Sequence, residues 1–164
     1  MILIVMGVSG AGKSTVAEAL VKATGWQFAE GDDYHSDANR RKMHSGIPLN
    51  DEDRAPWLAS LHEVLQSWAR RGESGIMTCS ALKQTYRDIL AKGLPEGSYR
   101  FVLLDVPRAE LQKRLANRAG HFMSPELLDS QLATLEEPRD ALRIQAEGSP
   151  DEIAGKILVQ IRQP

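Results

Sequence analysis

Gly7-Val8-Ser9-Gly10-Ala11-Gly12-Lys13-Ser14, set directly behind the apolar run Ile2-Leu3-Ile4-Val5-Met6, matches G-x-x-x-x-G-K-[ST] at every fixed position. Glycines at this spacing let the backbone curl tightly enough to aim successive N–H groups at phosphate oxygens. The lysine of the motif reaches the β- and γ-phosphates, and its terminal hydroxyl ligates Mg²⁺. ATP or GTP is therefore the expected ligand, gripped by Gly7, Val8, Ser9, Gly10, Ala11, Gly12, Lys13 and Ser14. Thr15, next in the chain, is expected either to support the loop or to reach the α-phosphate.

The motif carries weight only between a strand and a helix, and the flanking residues predict both. Residues 2–6 are an unbroken aliphatic run, the pattern of a strand buried on both faces of a parallel sheet. From Ser14 the period changes: Val16, Ala17, Leu20 and Val21 fall at helical spacing, with Glu18 and Lys22 paired at i,i+4 on the other face. A helix N-terminus then points at the loop and adds its dipole to the anion site.

Five predicted strands follow one another along the chain, at 2–6, 26–30, 75–79, 100–106 and 142–146, separated by helical patterns. The third helix is expected to open near Asp51 or Asp53 and to run through Trp57, Leu61, Leu65 and Trp68 to Arg70-Arg71-Gly72. Pro107 suits the first turn of a helix reaching about Arg118. Ser124-Pro125-Glu126 restarts a helix, and Ser149-Pro150-Asp151-Glu152 is a capping box opening the last one. Strands alternating with helices imply an α/β fold: a parallel sheet with helices on both faces and ligands at the carboxyl ends of the strands.

Size and composition narrow the partners. A chain of 164 residues fits one domain, 1–164. Charged residues make up 26% and the net charge is −2, without the basic footprint that nucleic acid or an anionic membrane requires, so a small-molecule partner is expected. Cys79 is a single cysteine, which excludes a disulfide framework and fits a cytoplasmic location; it reads as a small hydrophobe at a strand end. No stretch approaches the roughly 18 apolar residues of a membrane span, and the apolar start is too short for a secretory signal.

A phosphate loop names a nucleotide, not a reaction. The GTPase reading requires an Asn-Lys-x-Asp tetrapeptide, which does not occur, and the large-ATPase reading fails on length. Segments outside the loop resemble the small gluconate kinases, members of the nucleoside-monophosphate-kinase-like group. They include Gly31-Asp32, Lys42-Met43, the run from Ser45-Gly46-Ile47-Pro48 to Asp53-Arg54, and Pro56-Trp57-Leu58. They continue through Cys79-Ser80-Ala81-Leu82-Lys83, Tyr86-Arg87-Asp88, Arg114-Leu115, Gly120-His121-Phe122 and Leu135-Glu136-Glu137-Pro138, so that the resemblance spans nearly the whole chain.

The resemblance implies a three-layer P-loop NTPase fold of the adenylate/shikimate-kinase type, with a short lid at about 118–126. It implies transfer of the ATP γ-phosphoryl group to the 6-hydroxyl of D-gluconate, with Mg²⁺. Homodimers are common among such kinases, although no segment here reports an interface. A kinase of the same fold acting on shikimate or a nucleoside monophosphate, and a non-catalytic ATP sensor, are the competing readings.

Catalysis of phosphoryl transfer rests on positioning and charge neutralisation. Lys13 and Ser14-bound Mg²⁺ are the expected cations at the γ-phosphate. Asp32 is the candidate for orienting and deprotonating the acceptor hydroxyl, and for holding a Mg²⁺-bound water, because the third strand ends in Cys79-Ser80 without a carboxylate. Asp33 reads as a cap or a hydroxyl partner. Arg54, Lys83 and Arg87 compete for the substrate carboxylate, and His35 is placed near Asp32. Arg114 and Arg118, four apart on one helix face, are expected by resemblance to stack on adenine and to reach the phosphates, respectively. His121 either touches substrate or pins the lid. Asp105 is expected to cap or brace the helix after it, and Trp57 and Trp68 to pack or to form a dimer surface.

Overall fold

The computed structural model describes residues 1–117 and 125–163. Strands β1 (Ile2–Met6), β2 (Gln27–Glu30), β3 (Gly75–Thr78), β4 (Tyr99–Asp105) and β5 (Leu142–Gln145) form one parallel sheet in the order β2-β3-β1-β4-β5. The helices among the described residues are α1 (Lys13–Thr24), α2 (Asp37–His44), α3 (Asp51–Arg71), α4 (Gln84–Ala91), α5 (Arg108–Ala116), α6 (Pro125–Thr134) and α7 (Pro150–Ile161). None of them is long and apolar enough to cross a membrane.

Alternation along β1 builds the three layers. Leu3 and Val5 face one way and pack with Val16 and Leu20 of α1 and Ile153 and Ile157 of α7. Ile2, Ile4 and Met6 face the other way, onto Trp57, Leu61 and Leu65 of α3 and Tyr86 and Leu90 of α4. Every β1 residue is buried, which is why its sequence is continuously apolar rather than alternating.

Local chemistry sets the helix ends. Ser149 caps α7, its hydroxyl accepting from the Glu152 N–H while the Glu152 carboxylate accepts from the Ser149 N–H, as the capping box predicts. Helix α3 opens at Asp51, as expected, and its cap is Asn50: the Asn50 side chain accepts from the Asp53 N–H, and Asp53 reciprocates. An uncharged amide thus takes the cap and leaves the acids Asp51, Glu52 and Asp53 for the first turn, where the helix dipole favours them. Asp105 does not cap α5, whose N-cap is Pro107. Its carboxylate instead accepts from Arg143 at 2.7 Å and Gln145 at 2.9 Å, clipping β4 to the edge strand β5.

The order of the sheet brings the end of β2 beside the end of β3, and Gly31 makes that approach possible. Its N–H donates to the Thr78 hydroxyl at 3.0 Å, its carbonyl accepts from the Trp57 indole N–H at 2.8 Å, and a Cβ there would collide with the Thr78 carbonyl oxygen. Gly31→Ala is expected to lower stability by about 1–3 kcal/mol. Gly155→Ala, on the exposed face of α7 with nothing near its missing Cβ, is expected to raise stability by about 0.5–1 kcal/mol. Denaturant midpoints of the two variants should therefore move in opposite directions.

Candidate active site

The phosphate loop leaves β1 at Met6 and runs into the N-terminus of α1. Gly7, Gly10 and Gly12 take φ values of +139°, +83° and +92°, which a side chain would strain. The Lys13 ammonium donates to the Gly7 and Val8 carbonyls at 3.0 Å each and so lies across the mouth of the loop. The Ser9 N–H donates to the Gln131 side chain at 2.8 Å, joining the loop to α6.

One cleft at the carboxyl edge collects three of the predicted acceptor residues. Lys13, Asp32, His35 and Arg54 line it together, with Ser9 and Ser80 alongside. Met43 from the last turn of α2, with Ile47, Pro48 and Leu49 from the connection between α2 and α3, forms an apolar wall. The Lys42–Asp53 ion pair at 2.8 Å and the bond from the Asn39 amide to the Asp53 carbonyl at 2.8 Å pull that connection onto the start of α3. Asp33 is not a wall residue; its carbonyl accepts from Arg40.

His35 is almost fully buried, stacked on Trp57 with ring centroids 4.2 Å apart, and its Nδ1 lies 3.4 Å from the Asn39 amide. Burial lowers its pKa below the ordinary 6.5, with Asp32 opposing and Arg40 and Arg54 reinforcing the shift. Trp57 therefore packs, as expected, but also carries a cleft residue on its face.

Arg54 owes its orientation to Tyr86, a residue that sequence reasoning gave no role. The Arg54 guanidinium donates to the Tyr86 hydroxyl at 3.2 Å and sits 5.5 Å from the ring centroid. That hydroxyl in turn donates to Asp51. Hydrogen bonds from Tyr86, and then from Lys83, hold the Asp51 carboxyl below the usual carboxylate range. Burial, followed by the bond to Asp51, raises the Tyr86 pKa. Lys83 spends its ammonium on Asp51 at 3.1 Å and lies outside the cleft wall.

Arg87 is also not brought to the cleft wall, because its buried guanidinium is taken up by backbone carbonyls and Gln84. Arg118 and His121, and most of the predicted lid, lie outside the described residues.

On the opposite side of the phosphate loop, Thr15, Arg114, Asn117, Gly148 and Pro150 border a second depression. Arg114 reaches across it: its guanidinium donates to the Gly10 carbonyl at 3.2 Å and the Ala146 carbonyl at 3.4 Å, and pairs with Glu110 at 3.2 Å. These bonds hold the planar Arg114 guanidinium against the outer side of the phosphate loop.

The second strand, not the third, ends in a carboxylate beside Ser14. Glu30, the last residue of β2, accepts from the Ser14 hydroxyl at 2.6 Å and, through its other oxygen, from the Thr78 hydroxyl. Its position as a strand-terminal carboxylate at the catalytic edge was the signal available in the sequence. Gln131 gave none, since its contact with Ser9 spans 122 positions.

A family profile described as an AAA domain matches residues 2–138. A gluconokinase from Gluconobacter oxydans is 48% identical over 160 residues, covering 95% of this chain and 88% of that protein. An unliganded sugar kinase from Janibacter sp. superposes with a TM-score of 0.89 at 45% identity, covering 98% of this chain and 94% of that one. A gluconokinase from Sinorhizobium meliloti superposes at 0.87 with 43% identity, covering 98% and 91% respectively. With a matching fold, near-complete coverage in both directions and identity well above what fold similarity alone produces, the chain belongs to the gluconokinase family.

Proposed function

We propose that the chain transfers the γ-phosphoryl group of ATP to the 6-hydroxyl of D-gluconate, giving 6-phospho-D-gluconate and ADP. The observation that carries this reading is the convergence of Lys13, Asp32, His35 and Arg54 on one cleft beside the phosphate loop. A polyhydroxy acid needs a cation for its carboxylate and short polar side chains for its hydroxyls, and the cleft supplies both. A cytoplasmic setting fits a kinase whose single thiol, Cys79, is buried and pushed up to about 12 by that burial.

In this reading Asp32 accepts the proton of the 6-hydroxyl as its oxygen bonds to the γ-phosphorus and the bond to the bridging oxygen of ADP breaks. Lys13 leaves its loop carbonyls to neutralise charge on the transferring group. Arg54, aimed by Tyr86, takes the gluconate carboxylate, and neutral His35 hydrogen-bonds a hydroxyl. The Ser14 hydroxyl and the Glu30 carboxylate are hard oxygen donors that touch each other, a set that fits Mg²⁺. Ser14 would hold the ion directly and Glu30 through water, and the bound ion would neutralise the β- and γ-phosphate oxygens. That assignment moves the water-holding carboxylate from Asp32 to Glu30.

ADP release with Mg²⁺-ATP should occur with D-gluconate and not with shikimate, AMP or no acceptor, while its epimers in the same panel read how far the cleft discriminates hydroxyl geometry. Turnover on shikimate or AMP in place of D-gluconate overturns the substrate, and tight ATP binding without any turnover favours the sensor reading. Asp32→Asn should cut kcat by about 10²–10⁴-fold, whereas Glu30→Gln should raise the Mg²⁺ concentration for half-maximal rate by about 10-fold or more.

His35 supplies a pH test. Its folded pKa is depressed, so the stability it contributes is complete above pH 6.5 and is lost as the pH falls through the folded value. Denaturant midpoints at about pH 7.5 and about pH 5.5 should show the unaltered chain losing more on acidification than His35→Gln does. The gluconate KM should rise over the same range.

A further inference from the structure

Ala81 is the one non-glycine at positive φ among the described residues, at +46°, and it is fully buried in the turn that follows β3. A Cβ in the left-handed region persists only where the surroundings over-determine the backbone. The neighbours of Ala81 on both sides, Ser80 and Leu82, line the acceptor cleft with Lys13 and Asp32. The conformation of this one residue therefore sets how that wall meets the reacting groups.

The surroundings that determine it centre on Arg87. Nη1 donates to the Ala81 carbonyl at 2.7 Å and the Leu82 carbonyl at 3.2 Å. Nη2 donates to the Glu136 carbonyl at 3.0 Å and, with Nε, to the Gln84 side chain. A guanidinium has five N–H donors, and these five bonds leave none for a substrate carboxylate. The same knot continues through the Glu136 N–H, which donates to the Leu82 carbonyl at 2.8 Å, and the Gln84 N–H, which donates to the Glu136 carboxylate at 3.1 Å. Glu136 lies just beyond α6, the helix that presents Ser130 and Gln131 to the cleft. Gly7, at the head of the phosphate loop, donates to the Ser80 carbonyl at 3.4 Å.

We propose that Arg87 is a positioning residue for the acceptor: by holding the left-handed turn at Ala81 it places Ser80 and Leu82 against Lys13 and Asp32, without itself touching substrate. This rests on the kinase reading above, while its test is separable from it. The acceptor is gluconate, or whichever member of the panel the unaltered chain turns over. Failure of the gluconate reading then appears in the unaltered chain, and failure of this inference only in the variants.

Acceptor and ATP KM values, kcat and Tm are measured for Arg87→Met and Arg87→Lys, each with and without Ala81→Gly. Arg87→Met should raise the acceptor KM about tenfold or more with the ATP KM held within about twofold, and Arg87→Lys should shift it less in the same direction. Glycine tolerates the left-handed turn without support, so Ala81→Gly should recover about threefold or more of the loss in either background. Should Arg87→Met fail to fold, the Arg87→Lys pair carries the same comparison. A raised acceptor KM that Ala81→Gly does not recover overturns the inference in favour of direct contact. It is equally overturned if Tm falls with the acceptor KM unchanged, or if the ATP KM rises in step with the acceptor KM.

Discussion

The buried central strand is the constraint on which the molecule depends. β1 is hydrogen-bonded to β3 on one side and β4 on the other, and helices cover both of its faces. The chain can therefore leave the sheet only at Met6 and must reverse at once into α1. Gly7 makes that exit beside the Leu104 carbonyl, where a Cβ would sit 3.2 Å from the oxygen. A loop folded under such confinement presents its N–H groups and the α1 dipole in one direction, and that direction is the catalytic edge. An anion site thus follows from strand burial before any substrate contact is considered.

The acceptor half is organised by polar cross-links rather than by apolar burial alone. Exposed ion pairs such as Lys83–Asp51 contribute little to stability, and their value lies in orientation. Asp51 receives Tyr86 and Lys83, Tyr86 receives Arg54, and Arg54 faces the cleft. The buried contacts are the stiffer ones. The Trp57 indole bonded to Gly31 and stacked on His35 ties α3 to the turn carrying Asp32, so the helix core fixes where the proposed base sits. Arg87 does the same for the turn after β3.

Much of this was legible from residue patterns. Residues 7–14 declared the loop, the apolar run before them the buried strand, and Ser149 to Glu152 the capping box of the last helix; each is a local signal written in consecutive residues. The start of α3 was legible too: it opens at Asp51 with acids in its first turn, behind the Asn50 cap. The miss has a plain cause. Asp105 turns to Arg143 and Gln145, 38 and 40 positions away, which no local pattern reports.

The sequence by itself determined the nucleotide chemistry, the α/β class and the family, because these rest on short-range spacing and on motifs that survive without knowledge of contacts. The tertiary structure decided the strand order, and with it every partnership across the catalytic edge. Only when β2 lies beside β3 does Glu30 meet Thr78 and Ser14. Only in the folded chain does Arg87 spend its donors on Ala81, Leu82 and Glu136 rather than on a ligand. The physical reason is that a side chain's type limits what it can bond, while the identity of its partner depends on distances set by packing tens of residues away.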